Sequence, residues 1–333
     1  MYDLVVTYVD SNKDDWKKAY NKFKEEEIKS GVQSEDNRQA FGIERTRDWD
    51  TFRYYLRGIE NNCKWVRNII VVMQNKNQIP DWLDTSNPRL KVVFHEDYID
   101  KEILPTFNSC EIGMYVCNIK DLSDYYVISD DDFFFINETP KELFFRNNKT
   151  VQPNNKMPYE YYNERYTNAS DGVFYKTLNN NFKIEKRYGK EKYFISHMPS
   201  PRDKKMEQRI IEENKDLFID AFKKSKFRSE YSYSAEMFPN IMKITRTCEF
   251  EKENANYCKY VTLKSDVDFD KYKDYNIVCF NDTEQLDDYE VTKDKLIRFL
   301  ESRLPSKSSF ERWWENGKEW NQKITAKIRW TNG

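Results

Sequence analysis

Glycine and proline are scarce in this chain of 333 residues, at 8 and 10. That scarcity excludes a collagen-like or low-complexity polymer, which needs them in bulk. Histidine is scarcer still, with two in the whole sequence, and the six cysteines (63, 110, 117, 248, 258 and 279) include no CxxC pair. A Cys/His zinc site is therefore not expected, and buried free thiols in a reducing compartment are. No run approaches the roughly 18 apolar residues of a membrane span. The opening MYDLVVTYVD has no basic segment and carries Asp3 where a signal peptide is apolar. The expected location is the cytoplasm, with peripheral contact at the inner membrane face left open. Neither charge is in excess, since 55 Lys and Arg face 57 Asp and Glu for a net of -2. That balance speaks against a basic nucleic-acid binder and against an acidic tail.

What the chain has instead is aromatic mass. Tyr 23, Phe 22 and Trp 8 give 53 large rings, enough buried area for an ordered core despite a hydrophobic fraction of 38%. The run Leu4 to Val9 reads as a buried strand ending at Asp10. From Asp14 to about Ser30 the pattern is helical and highly charged, with Gly31 as a stop, and residues 31 to 44 read as a loop. A helix is expected over 48 to 60, with Phe52, Leu56 and Ile59 on one face. Strands follow at 68 to 73 and 90 to 94, a helix at 109 to 119, and a strand at 125 to 129 running into Asp130-Asp131-Asp132. Later come a helix over 203 to 224, a strand over 275 to 280, and a last helix from about Thr292 that ends before Pro305. Residues 141 to 195, rich in Asn, Tyr and Lys, read as loops and short helices. The alternation predicts a parallel α/β sheet covered on both faces. The expected organisation is one catalytic domain over 1 to 305, with an insertion at about 141 to 240 and a Trp-rich tail over 306 to 333.

A strand running into carboxylates occurs three times, at Val9-Asp10, Ser129 to Asp132, and Phe280-Asn281-Asp282. Ligands of open parallel sheets bind outside the carboxyl ends of the strands. Carboxylates and amides there suit Mg²⁺ or Mn²⁺, ions that commonly serve phosphates. An isolated Asp more often caps the next turn, whereas a triple Asp after an apolar strand tips the balance toward a site. Arg45 to Arg53 holds three arginines and two aspartates before a helix. On that helix Asp50, Arg53 and Arg57 share a face opposite Phe52, Leu56 and Ile59. On pattern alone this is a solvated salt-bridge face, with a guanidinium clamp for phosphate as the alternative. His95 follows a strand, and His197 precedes a helix that leads on to Phe227-Arg228. Spacing alone makes none of these catalytic.

Four blocks in order resemble the Stealth family of sugar-1-phosphate transferases, which make microbial capsule and wall polysaccharides and have a lysosomal-enzyme GlcNAc-1-phosphotransferase as animal relative. Asp3 to Asp10 is similar to the opening block D-x-V-Y-T-W-V-D/N-G, with Tyr8 for Trp and Ser11 for Gly. RTRDWDTFRYYLRGIENNCKWVRNIIVV is similar to R-x-R-D-N-x-E-L-R-Y-S-L-R-S-I and the P-W-V-R-x-I-x-V that follows, with Trp49 for Asn and Thr51 for Glu. That block runs on to Tyr126 to Asp131, where the family has Y-L-N-D-D; Ser129 replaces Asn and Asp132 an apolar residue. Ser196-His197-Met198-Pro199 with Phe227-Arg228 is similar to the third block. Val278 to Asp282 with Leu304-Pro305 and Ser309-Phe310-Glu311 is similar to the fourth. The resemblance covers about residues 3 to 311.

The resemblance implies transfer of a hexose-1-phosphate from a UDP-sugar, such as UDP-GlcNAc, to a glycan hydroxyl with release of UMP. The expected fold is α/β, Rossmann-like and GT-A-type, a mostly parallel sheet with helices on both faces and a helical and loop insertion in the middle third. Asp131 and Asp282, helped by Asp130 and Asn281, are the implied ligands of Mg²⁺ or Mn²⁺ on the diphosphate. Arg53 and Arg228 are implied to steady the transferring phosphoryl oxygens, and Asp10 to lie near the nucleoside. Arg47, Asp48 and Asn108 join the substrate-binding candidates. His197 is the candidate general base or phosphate partner, with Asp131 or Asp282 as the alternative base. A glycosyltransferase releasing UDP and a non-catalytic glycan-binding module are the rival readings. The tail, with Trp313, Trp314, Trp320 and Trp330, is expected to dock on the domain, a membrane or glycan contact being the alternative.

Overall fold

The computed structural model describes residues 1–157, 172–194, 196–251 and 256–312. Its centre is β1 (Tyr2–Thr7), flanked by β2 (Val66–Met73) and β4 (Tyr125–Asp130). β3 (Leu90–Phe94) lies beyond β2, and β10 (Ser200–Asp203) lies beyond β4, giving the order β10-β4-β1-β2-β3. β1 runs parallel to both neighbours, β2 and β3 are parallel, and the edge strand β10 is antiparallel.

The central strands carry apolar runs, Leu4–Val6 in β1, Ile69–Met73 in β2 and Tyr126–Ile128 in β4, because both faces are covered there. Leu4, Val6, Ile69, Val71 and Val127 pack on one face against Phe52, Tyr55, Leu56 and Ile59 of α3 (Phe52–Asn62). Val5, Ile70, Val72 and Tyr126 point the other way. They meet Met114 of α4 (Ser109–Met114), Phe218 and Phe222 of α7 (Lys215–Phe222), and Phe238 of α8 (Met237–Thr245). The expected mixed α/β architecture around a mostly parallel sheet is what forms, with nine α-helices among the described residues.

The strand ending in Asn281 does not belong to this sheet. β13 (Ile277–Asn281) lies between β12 (Cys258–Thr262), to which it is parallel, and β5 (Phe133–Phe135), to which it is antiparallel. β5 follows β4 after a turn at Asp131 and Asp132, and so joins the two sheets. Phe133 and Phe135 enter the main core, while Phe134 packs with Phe280 and with Phe299 of α9 (Tyr289–Arg303). Gly58 makes this junction tight: a Cβ there would lie 2.7 Å from the Phe135 carbonyl oxygen.

Elsewhere short elements replace the expected loops. After α1 (Asp14–Lys29), residues 31 to 44 contain α2 (Arg38–Phe41), whose first turn is capped by Asn37 Oδ1 accepting from Gln39 N–H at 3.1 Å. Gln33 and Asn37 each donate to the Arg228 carbonyl, at 3.1 and 3.2 Å. The segment is built by polar contacts with distant residues, which leave no periodic trace. The helix expected over 203 to 224 is two, α6 (Lys204–Glu213) and α7, broken at Asn214, whose amide donates to the Ile210 carbonyl at 2.8 Å. In the middle third, β6 (Phe145–Arg146) and β11 (Glu249–Phe250) flank β7 (Lys149–Gln152). β8 (Lys156–Met157) pairs with β9 (Lys192–Tyr193), and α5 (Val173–Glu185) lies between them in sequence.

The solvated salt-bridge face on α3 needs correction. Arg57 is only 4% exposed and donates Nε and Nη2 to the two Glu311 carboxylate oxygens at 2.8 and 2.9 Å. Its Nη1 donates to the Leu304 carbonyl at 3.0 Å. A charge face on one helix looks the same in sequence whether water or a later segment covers it. Here residues 304 to 311 cover it, and Phe310 is fully buried. The four tail tryptophans lie outside the described residues. All six cysteines are free, and Cys63, Cys117, Cys248 and Cys279 are buried.

Candidate functional site

A cleft of about 770 Å³ opens over the carboxyl ends of β1, β2 and β4, with the second sheet as its far wall. Strand order reverses at β1, since the chain first goes to β2 on one side and later returns to β4 on the other. That divergence leaves a crevice at the strand ends, where Thr7, Tyr8 and Asp130 sit.

One wall is acidic. Asp130 ends β4 and accepts from the Thr7 hydroxyl at 3.5 Å, and Asp131 and Asp132 form the turn into β5. Burial, then the charge of Asp130, pushes the Asp131 carboxyl up to about 7. Burial and both neighbouring aspartates raise Asp132 well above the carboxylate range. Its Oδ2 accepts from the Cys279 thiol at 3.3 Å, and its Oδ1 is buried without a hydrogen-bond partner. Adjacent desolvated carboxylates with no cation among the causes of their shifts are a donor set that fits a hard divalent ion.

Arginines line the same cleft. Burial and the charge of Arg228 pull the Arg45 guanidinium down to about 10. Its nearest carboxylate, Glu44, stands 3.9 Å away, and Arg228 Nε donates to the Ser109 hydroxyl at 3.0 Å. Two guanidiniums repelling each other in a cleft form a place for an anion.

The loop between them carries the motif residues. Asp50 is left-handed, with φ 58, a conformation that Asp tolerates and that turns the chain before α3. Arg47 Nη1 donates to Asp282 Oδ1 at 2.8 Å, and Trp49 Nε1 donates to Asp282 Oδ2 at 3.1 Å. Burial nonetheless raises the Asp282 carboxyl, against the pull of Trp49 and Arg47. Asp48 accepts from Asn12 at 3.1 Å and from its own loop at Asp50 N–H, 2.8 Å away. Asn281 donates to the Asp282 carbonyl at 2.6 Å.

Of the residues singled out in the sequence, His197, Arg228, Arg47, Asp48, Asp130, Asp131, Asn281 and Asp282 line this cleft. Arg53, Asp10 and Asn108 are not on its lining. Arg53 stacks its guanidinium 5.2 Å from the Trp82 ring centre and stands 3.8 Å from Asp50. Asp10 closes its own turn by accepting from Asn12 N–H at 2.9 Å. Asn108 is buried, caps α4 through Cys110 N–H and donates to Ser232. His197 is exposed, its ring held 5.1 Å from Phe133 and 5.2 Å from Tyr260. His95 is buried, which pushes its imidazole down to about 4.

Arg45 and Asp132 stood in the segments weighed as a guanidinium clamp and a carboxylate cluster without a role of their own, and Cys279 and Tyr260 were not among the expected site residues. Arg45 stood in the quoted motif, and only the fold brings Arg228 to it. Cys279 reaches Asp132 through the antiparallel pairing of Cys279 with Phe133, a register no local pattern encodes. Among the described residues, Asp132, His197 and Cys279 are the three metal-type ligands whose atoms all lie within 4.8 Å of one another. Asp130, Asp131 and Asp282 do not converge so closely here.

The profile of Stealth protein CR2, conserved region 2, matches residues 45–153, a stretch that contains the Arg45 loop, α3 and the aspartate turn. The capsular polysaccharide phosphotransferase WcwK of Streptococcus pneumoniae is 30% identical over 342 residues, covering 93% of this chain and 98% of the relative. SacB of Neisseria meningitidis serogroup A, of the same description, is 27% identical over 329 residues, covering 93% of this chain and 57% of its own. A third, eps5J of Streptococcus thermophilus, is 37% identical over 147 residues, 44% of this chain. With a cleft that gathers aspartates and arginines and relatives of this kind along nearly its whole length, the chain belongs to the Stealth family and is a phosphotransferase.

Proposed function

We propose that the cleft transfers a hexose-1-phosphate, such as GlcNAc-1-phosphate, from a UDP-sugar to a glycan hydroxyl in capsular or cell-wall polysaccharide synthesis. The observation that carries this is that Arg45 and Arg228, which repel each other, line the same crevice as Asp130 and Asp131. A diphosphate with a divalent cation fits both sets of charge at once. The position at diverging strand ends suits a Rossmann-like, GT-A-type nucleotide-sugar site.

Phosphoryl transfer asks the protein mainly to position reactants and to neutralise charge. Arg45 and Arg228 hold the oxygens of the transferring phosphate, the role that sequence resemblance gave to Arg53 and Arg228. Mg²⁺ or Mn²⁺ would be held by Asp131 and Asp130, and when bound it offsets the negative charge gathering on the departing phosphate. Asp282, committed to Arg47 and Trp49, positions the Arg45–Thr51 loop together with Asn281. The acceptor hydroxyl gives its proton to an imidazole nitrogen of His197, whose ring is exposed on the cleft wall. Its oxygen then attacks the sugar-linked phosphorus. The phosphoanhydride bond breaks, UMP leaves, and a phosphodiester remains.

The test is product analysis with purified protein, Mg²⁺, a panel of UDP-sugars and short glycan acceptors. UMP, with a new phosphodiester signal in phosphorus NMR, is the expected result. Release of UDP instead would overturn this reading and make the protein a glycosyltransferase.

A further inference from the structure

The aspartate turn and β13 together make a second donor set, different in chemistry from the Asp130–Asp131 pair. Asp132 is one of the residues at which this chain departs from the resembled pattern, where an apolar side chain is usual. Its carboxylate meets the Cys279 thiol at 3.3 Å, and its other oxygen, Oδ1, is buried with no hydrogen-bond partner. The ligand atoms of Asp132, His197 and Cys279 all lie within 4.8 Å of one another. His197 is held against Phe133 and Tyr260, so its ring is already oriented.

We propose that Asp132, His197 and Cys279 form a binding site for a zinc-class divalent ion, separate from the magnesium position. One carboxylate oxygen, one imidazole nitrogen and one thiolate are the ligand types that zinc takes, and a thiolate selects against Mg²⁺. In a tetrahedral site with bonds of about 2.0–2.3 Å, ligand atoms stand about 3.3–3.7 Å apart. The Asp132–Cys279 separation has that value already, and the His197 ring, exposed on a loop, needs a shift of at most about 1.1–1.5 Å to bring its nitrogen from within 4.8 Å to that spacing. Asp132 and His197 face the cleft, which leaves the fourth position to water or substrate. Binding displaces the thiol proton to solvent, so affinity for the ion rises with pH. The ion also denies His197 its proton-accepting nitrogen, a consequence that rests on the role given to His197 above.

Cobalt(II) is the probe, because a cobalt–thiolate bond absorbs where neither protein nor free ion does. The expected result is one Co²⁺ per chain with a thiolate charge-transfer band that Zn²⁺ bleaches and that Cys279→Ser abolishes. Cys279 is buried, so His197→Gln, at an exposed position, gives the second reading. It should weaken Co²⁺ binding by more than the roughly 10- to 100-fold that loss of an outer-sphere partner costs. No band in the wild type, a band that survives in folded Cys279→Ser, or unchanged affinity in His197→Gln would overturn the site. None of these readouts needs turnover, so their failure is distinct from failure of the phosphotransferase reading.

Discussion

Asp131 is a carboxyl placed where its charge is hardest to keep. It is half-buried, and Asp130 stands beside it. Its folded value of about 7 lies above the ordinary 3.8, so between those values the native state holds a proton that the unfolded state has lost. Stability of the metal-free protein therefore falls as pH rises from about 4 to about 7 and levels off above, by an amount on the order of a few kcal/mol. Asp131→Asn has no such proton to lose. Urea melts at pH 5 and pH 8 without divalent ions should show the wild type losing more stability than the variant; equal losses would remove the buried-charge account. Arg45 presents the opposite sign of the same problem. Placed on the phosphoryl oxygens, it should be worth roughly 10²- to 10³-fold in kcat, the usual effect of removing one donor from developing charge. Arg45→Met is expected to show that loss, and Arg53→Met, off the cleft lining, a much smaller one. Equal losses in the two variants would return the phosphate role to Arg53.

At the level of elements, α3 shows what a pattern can and cannot convey. Its apolar face was legible because Phe52, Leu56 and Ile59 recur at helical spacing. Its charged face was misread because the partner of Arg57 lies 254 positions away at Glu311. A doubly hydrogen-bonded buried pair is costly to break from one side. Glu311→Gln leaves Arg57 charged and half-matched, and should cost about 3–5 kcal/mol in chemical denaturation. A loss below about 1 kcal/mol would mean that water reaches the pair. The central strands were legible for a related reason: both faces are covered, so Leu4–Val6, Ile69–Met73 and Tyr126–Ile128 are apolar, whereas the edge strand β10, Ser200 to Asp203, has no such run. The carboxylates beyond them were legible because the runs stop there. By contrast α2 and the break at Asn214 rest on single side-chain hydrogen bonds, which have no periodicity. The same holds for the site. Each aspartate cluster could be found in its own segment, but the meeting of Arg45 with Arg228, and of Cys279 with Asp132, is set by tertiary register.

On the scale of the whole molecule, a net charge of -2 conceals a cleft whose lining gathers Asp130, Asp131 and Asp132 with Arg45, Arg47 and Arg228. That lining needs two sheets: β4 delivers the aspartates, and β13 with its following turn delivers Asp282, which Arg47 and Trp49 clamp. What holds the sheets together is β5. Its alternate phenylalanines enter different cores, Phe133 and Phe135 in one and Phe134 in the other. Neither core can lose its side of that strand without exposing the other. Residues 1 to 305 are accordingly expected to melt as one cooperative unit. Differential scanning calorimetry should give a single transition whose calorimetric and van't Hoff enthalpies agree. Two resolved transitions, with the lower one shifted upward by UDP-sugar and Mg²⁺, would instead mark the second sheet as a separate unit that closes on the donor.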